Sequence, residues 1–264
     1  MPEGEPSCGQ CAAAPSGTPR ELPSAPPVSP VPPAKGVAPV AWLRSPVGLG
    51  RATAALLGLV LVVDLFAVGV EPYVHGVLDD IVNGGGGADL ARRADRADSL
   101  FETSGVLQSG ALLAAAVVFL CWFYRVRVNA EVFDPFGHTM KRGWAIGAWF
   151  VPLVNLWFPR RITVDVWKAS GDPERPRGHG LVNAWWVMWV VSISVSRVAS
   201  RMYGRADEAE VGRTAVRLLL FADLTDALAA VLAVLLVLRL TRMQHEKALR
   251  GPVAGGIMQA PALG

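Results

Sequence analysis

Residues 50–70 read GRATAALLGLVLVVDLFAVGV, an apolar run whose charged side chains are Arg51 at its edge and Asp64 inside it. An α-helix rises 1.5 Å per residue and the hydrocarbon slab of a bilayer is about 30 Å thick, so about 20 apolar residues cross it. Comparable blocks recur at residues 105–124, 181–202 and 215–238. A shorter one occupies residues 143–158. The predicted fold class is therefore all-α: a polytopic transmembrane helical bundle with four full spans plus one short re-entrant or interfacial segment. Composition agrees, since 52% of the chain is hydrophobic and 18% charged, against about 25% charged in soluble domains.

Outward from these blocks the chain divides into three. Residues 1–44 are expected to be a disordered Pro-rich cytoplasmic tail, residues 45–240 the transmembrane helical domain, and residues 241–264 a cytoplasmic tail. Residues 1–40 hold 11 of the 20 prolines and almost nothing to bury, a composition that stays extended. The beginning of the chain carries Glu3 and Glu5 and no early apolar run, so the first block is expected to serve as an internal anchor. Glu71-Pro72 is expected to end the first span, because proline lacks an amide and restricts the residue before it. Residues 88–104 are expected to form a short surface helix. Cys121, inside the second block, reads as a small buried hydrophobe.

The short block carries Trp144, Trp149 and Trp157, with Pro152 and Asn155 in its interior. Sixteen residues of straight helix reach only about 24 Å, and the proline removes a rung. A segment that dips in and returns is the reading preferred over a fifth crossing, with Asn155 available to satisfy freed backbone groups. Loop charge supports it. The stretches 125–142 and 159–180 carry four and five Lys or Arg, and four more follow residue 238. Residues 71–104, by contrast, hold three arginines and seven acids. Basic short loops favour the cytoplasmic side. With four crossings, both termini and both basic stretches fall there, a helix over 162–169 lies along the inner surface, and Arg125, Arg127, Lys141, Arg142, Arg160, Arg161 and Lys168 face anionic lipid.

The stretch 122–172 carries a resemblance. Trp122-Phe-Tyr-Arg125-x-Arg-x-Asn129 is followed by Gly143-Trp144-Ala-x-Gly147-x-Trp149-Phe-x-Pro152-x-x-Asn155-Leu-Trp157-x-Pro159 and Trp167-Lys-Ala-Ser170-x-Asp172. These fixed spacings resemble the DUF4328 family, actinobacterial multi-pass membrane proteins catalogued as a domain of unknown function. The resemblance implies a shared fold and a bacterial plasma-membrane location. It implies no activity, ligand or catalytic residue.

Charge inside the apolar blocks is the first functional lead, because an unpaired ionised group there costs about 2.5–3.5 kcal/mol on insertion scales. Asp64, Arg197 and Asp223 fall at similar depth in their spans, and Asp226 lies on the same helix face as Asp223. Two readings stay open. One is a structural ion-pair cluster, with Ser192, Ser196 and Ser200 as a packing stripe; the other is a proton or solute pathway. The second lead is the motif Trp149, Pro152, Asn155 and Trp157, which is either a half-helix aimed at a substrate or a tryptophan-rich wedge. Cys8-x-x-Cys11 is half of a zinc site with no second pair, and His75, His138, His179 and His245 show no ligand spacing. No metal, cofactor, catalytic constellation or nucleic-acid partner is read from the chain. The expected function is a structural or interaction role, with the lipid bilayer as surroundings and the Pro-rich tail offered to a protein partner. The alternative is a small transporter or channel-like protein using the Asp/Arg set. Oligomeric state is unspecified.

Overall fold

The computed structural model describes residues 43–172, 174, 178–205 and 208–250. The first apolar run lies within helix α1, Val47–Val82, and the second within α2, Ala88–Phe133. After them come a single helical turn α3, Trp144–Gly147, a 3₁₀ turn at Val154–Leu156, and α4, Phe158–Ser170. Helices α5, Gly180–Tyr203, and α6, Ala209–Leu249, complete the described chain. No strand occurs among the described residues. Four helices, α1, α2, α5 and α6, are long and apolar enough to cross a membrane.

Their surfaces show why a bilayer is the fitting solvent. Between 22% and 39% of each apolar window is buried inside the molecule, so most of it points outward. Val62, Leu113, Val198 and Leu228 all stand exposed. Water would drive such surface into aggregates, whereas lipid chains cover it without cost. Cys121 belongs to this outward surface, because it is exposed. The expectation that it is buried is corrected: an apolar helix in lipid need not turn its apolar side chains inward.

Helix α1 packs along α2 and α6, and α6 packs along α5, while α2 and α5 share no extended interface. The spans thus follow the order α2–α1–α6–α5. Close approach of α1 and α6 depends on Gly50, where an added Cβ would collide with the Thr241 side chain. Alanines fill the middle of the packing, with Ala111, Ala115 and Ala230 around Val60 and Val63.

Three of the helices outrun the slab. Thirty-six, 46 and 41 residues in α1, α2 and α6 correspond to about 54, 69 and 62 Å. At one end, hereafter the acidic end, the extra turns make a small core of Val70, Val74, Val77, Ala97 and Val216. Arg93 pairs with Asp80 at 2.7 Å and Arg213 with Asp79. This corrects two expectations. Helix α1 continues through Glu71 and Pro72 to Val82, because Pro72 sits on the exposed side and the valines beyond it gain a packed interface. Residues 88–104 are the first turns of α2 itself, since Ala97 and its neighbours cover that same core.

At the other, basic end, residues 143–157 form no continuous helix. The Leu153 backbone has φ 65°, and the Val154 amide donates to the Pro152 carbonyl at 2.8 Å, which defines a tight γ-turn of the strained kind. Trp149 from this segment wedges into the gap between α2 and α5. Its ring lies 5.4 Å from Phe119 and 6.1 Å from Phe123 on α2, and 5.5 Å from Trp189 on α5. Helix α4 then buries Ile162, Val166 and Trp167 in the same core. The helix expected over 162–169 is thus longer and more deeply packed than a surface element. Residues 241–249, assigned to a tail, continue α6. Arg127, expected to face lipid headgroups, is buried: it pairs with Glu131 at 2.7 Å and donates to the Met140 carbonyl. Cys8, Cys11, most of both tails, Arg175 and Arg177 lie outside the described residues.

Candidate functional site

Polar side chains from all four long helices meet inside the bundle, toward the acidic end. Asp64 projects from α1 and is buried, with 2% of its surface exposed. Gln108 on α2 donates to its Oδ1 at 3.2 Å and also reaches Asp223 on α6. Asp223 and Asp226 stand close enough for their charges to act on Asp64. Asp226 accepts a hydrogen bond from the Ser192 hydroxyl of α5 at 2.9 Å. Ser192, Asp226, Asp64 and Gln108 therefore form a polar file running across the four helices.

A fourth carboxyl joins them. Glu71 lies seven residues, or two turns, after Asp64 on the same face of α1. It is 2% exposed and lies beside Asp223. The antiparallel register of α1 and α6, set by Gly50 against Thr241 and Asp79 against Arg213, brings Asp64 level with Asp226 and places Asp223 between the levels of Asp64 and Glu71. The Asp64 Oδ2 and Glu71 Oε2 atoms are buried without a hydrogen-bond partner among the described residues. Since buried polar atoms are normally paired, such orphans ask for a proton, a water or an ion.

Of the four residues proposed for this cluster from sequence, the structure brings Asp64, Asp223 and Asp226 together and leaves Arg197 out. Arg197 is on the exposed side of α5, and no ion pair of its guanidinium occurs among the described residues. Matching depth along a span does not fix which way a side chain points around it. Of the serine stripe, Ser192 is buried, Ser196 half-buried and Ser200 exposed. Sequence reading missed Glu71, assigned to a helix end, and Gln108. Both left signals: a seven-residue spacing from Asp64, and an amide inside an apolar block.

The second proposed motif separates. Trp149 is the hub of the aromatic wedge, whereas Trp157 is 53% exposed and Pro152 lies on the surface. The Asn155 Oδ1 is buried without a partner among the described residues, so this oxygen does not take up the freed backbone groups. The turn is held instead by the Trp186 indole, which donates to the Leu156 carbonyl at 3.1 Å. Within residues 143–157 the helical pieces are four and three residues long, short of a half-span.

Beyond the wedge, a polar clamp ties the basic ends of the helices. The Gln244 amide donates to the Val126 carbonyl at 2.8 Å and to the Ser170 hydroxyl at 3.1 Å. Its oxygen accepts from Asn129 at 3.1 Å, and Asn129 also exchanges hydrogen bonds with the Arg44 backbone. Trp122 donates to Thr241 at 3.0 Å. Lys247 donates to the Ala169 and Gly171 carbonyls at the end of α4.

Comparison with known proteins yields a match to the family model described as a domain of unknown function (DUF4328), over residues 86–242. The match takes in α2 through most of α6 and therefore Gln108, Ser192, Asp223 and Asp226, while Asp64 and Glu71 precede it. No curated protein and no solved structure matches the chain.

Proposed function

We propose that this chain, which belongs to the DUF4328 family, is a multi-pass protein of the bacterial plasma membrane that carries protons through its bundle at the carboxyl cluster. The observation that carries this reading is the convergence of Asp64, Glu71, Asp223 and Asp226 without an ion pair to a basic side chain among the described residues, two of their oxygens being buried and unpaired there. A structural salt bridge would have required Arg197 among them. Like charges at such range cannot both ionise cheaply.

The test is flux in proteoliposomes carrying a trapped pH indicator. Under an imposed pH gradient or potential, the wild-type chain is expected to pass protons, and Asp226→Asn and Glu71→Gln to reduce the rate about tenfold or more, as for loss of a positioned proton carrier. Flux equal to protein-free vesicles for the wild type, or unchanged in both variants, would overturn the reading.

A structural or interaction role is the second reading, favoured by the clamp around Gln244 and Asn129. That clamp fixes the end of the bundle at which α1 begins, as a scaffold that offers a Pro-rich segment to a partner requires. Both readings place the basic end in the cytoplasm, on the strength of the loop charges.

A further inference from the structure

At the basic end, α6 leaves its apolar run at Leu238 and continues through Arg239 and Arg242. Between this stretch and the start of α5 lies a cavity of about 600 Å³, lined in part by Leu181, Leu235, Leu238, Arg239, Arg242 and Glu246. That volume is within the range of small-molecule sites. The lining changes character along its depth. Leu181, Leu235 and Leu238 form an apolar wall, and on α6 Arg239 follows Leu235, and Arg242 follows Leu238, by about one turn.

The arginines are placed before anything binds. The Arg239 guanidinium lies 5.5 Å from the Trp167 ring centroid, so α4 holds it by a cation–π contact. Arg242 donates to Glu246 through Nε at 2.7 Å, and its terminal nitrogens retain further donors. Two guanidiniums against one carboxylate leave the mouth positive, and planar guanidinium forks match phosphate oxygens in geometry as well as charge. A ligand that satisfies both halves of the lining needs a phosphate and a hydrocarbon chain joined at the depth of the headgroup layer.

We infer that this cavity binds an anionic phospholipid, its phosphate on Arg239 and Arg242 and the upper part of an acyl chain along Leu181, Leu235 and Leu238. Inorganic phosphate would engage the arginines but leave the leucine wall unfilled. A zwitterionic lipid fills the wall but brings an ammonium toward two guanidiniums. The site stands apart from the carboxyl cluster, at the opposite end of the bundle, and does not depend on proton transport.

The test is native mass spectrometry of the full chain, delipidated in neutral detergent and titrated separately with phosphatidylglycerol, phosphatidylcholine and inorganic phosphate. The wild type is expected to retain phosphatidylglycerol over phosphatidylcholine by about fivefold or more, the scale of one arginine near an anionic surface. Arg239→Gln combined with Arg242→Gln is expected to abolish that preference, while Arg92→Gln with Arg96→Gln, at the acidic end, leaves it intact. Should the double arginine variant fail to fold, Leu235→Trp, which fills the cavity and keeps both charges, is expected to remove the preference as well. Equal retention of the two lipids, displacement by inorganic phosphate, or a preference that survives Leu235→Trp would overturn the inference.

Discussion

Glu71 and Gln244 show how much a single buried polar side chain decides here. At position 71 a carboxyl that would be cheap in water is 2% exposed and faces Asp223. It is held there because α1 passes through Pro72 without ending. A proline inside a helix costs about 3 kcal/mol or more, and the packing of Val74 and Val77 beyond it offsets that. Gln244 has the opposite character, since its amide nitrogen and oxygen all find partners from α2 and α4. Gln244→Leu would take one partner each from the Asn129 amide, the Val126 carbonyl and the Ser170 hydroxyl. At about 0.5–1.5 kcal/mol per lost hydrogen bond, the variant is expected to lose stability by that order for each, as chemical unfolding in detergent would measure. A change within experimental error would show that water replaces the amide.

At the scale of elements, the segment between α2 and α4 does the unusual work. Helices α2 and α5 share no extended interface, and Trp149 fills the space between their aromatic faces. Its backbone follows tight turns, with Leu153 at positive φ, because the rings of Trp149 and Trp186 can meet only if the chain reverses there. Trp149→Ala is expected to destabilise the bundle by about 3–5 kcal/mol, the range for removing a large aromatic from a core. A thermal scan in detergent measures it; an unchanged midpoint would mean that α2 and α5 are held apart by something other than the wedge. The α1–α6 contact gives a second expectation. Gly50→Ala places a methyl against Thr241 and should cost about 1–3 kcal/mol as an overpacked interface, with the Trp122–Thr241 hydrogen bond disturbed alongside.

The whole molecule sorts its polarity by end. Four helices of spanning length return the chain to the end of the bundle at which α1 begins, and the Arg44–Asn129 hydrogen bonds hold the beginning of α1 beside the end of α2. Single cysteines placed in residues 134–142 and in residues 171–179 should label from the same side of the membrane, the cytoplasmic one, with an impermeant thiol reagent. Labelling from opposite sides would mean that residues 143–157 cross, and would overturn the four-span layout.

The sequence by itself determined that the chain is helical, that four blocks have the length of a bilayer, and that the fifth does not. Those properties follow from composition and from 1.5 Å per residue, which no neighbour can alter. It also marked Asp64, Asp223 and Asp226 as out of place in apolar surroundings. Tertiary structure alone decided which of the charged groups meet. Rotation of each helix about its axis brought Glu71 into the cluster and turned Arg197 away from it. The same rotation made Arg127 a buried brace where loop charge suggested a lipid contact. Depth is written along one helix, whereas facing is a relation between two, and it is fixed only when their surfaces pack.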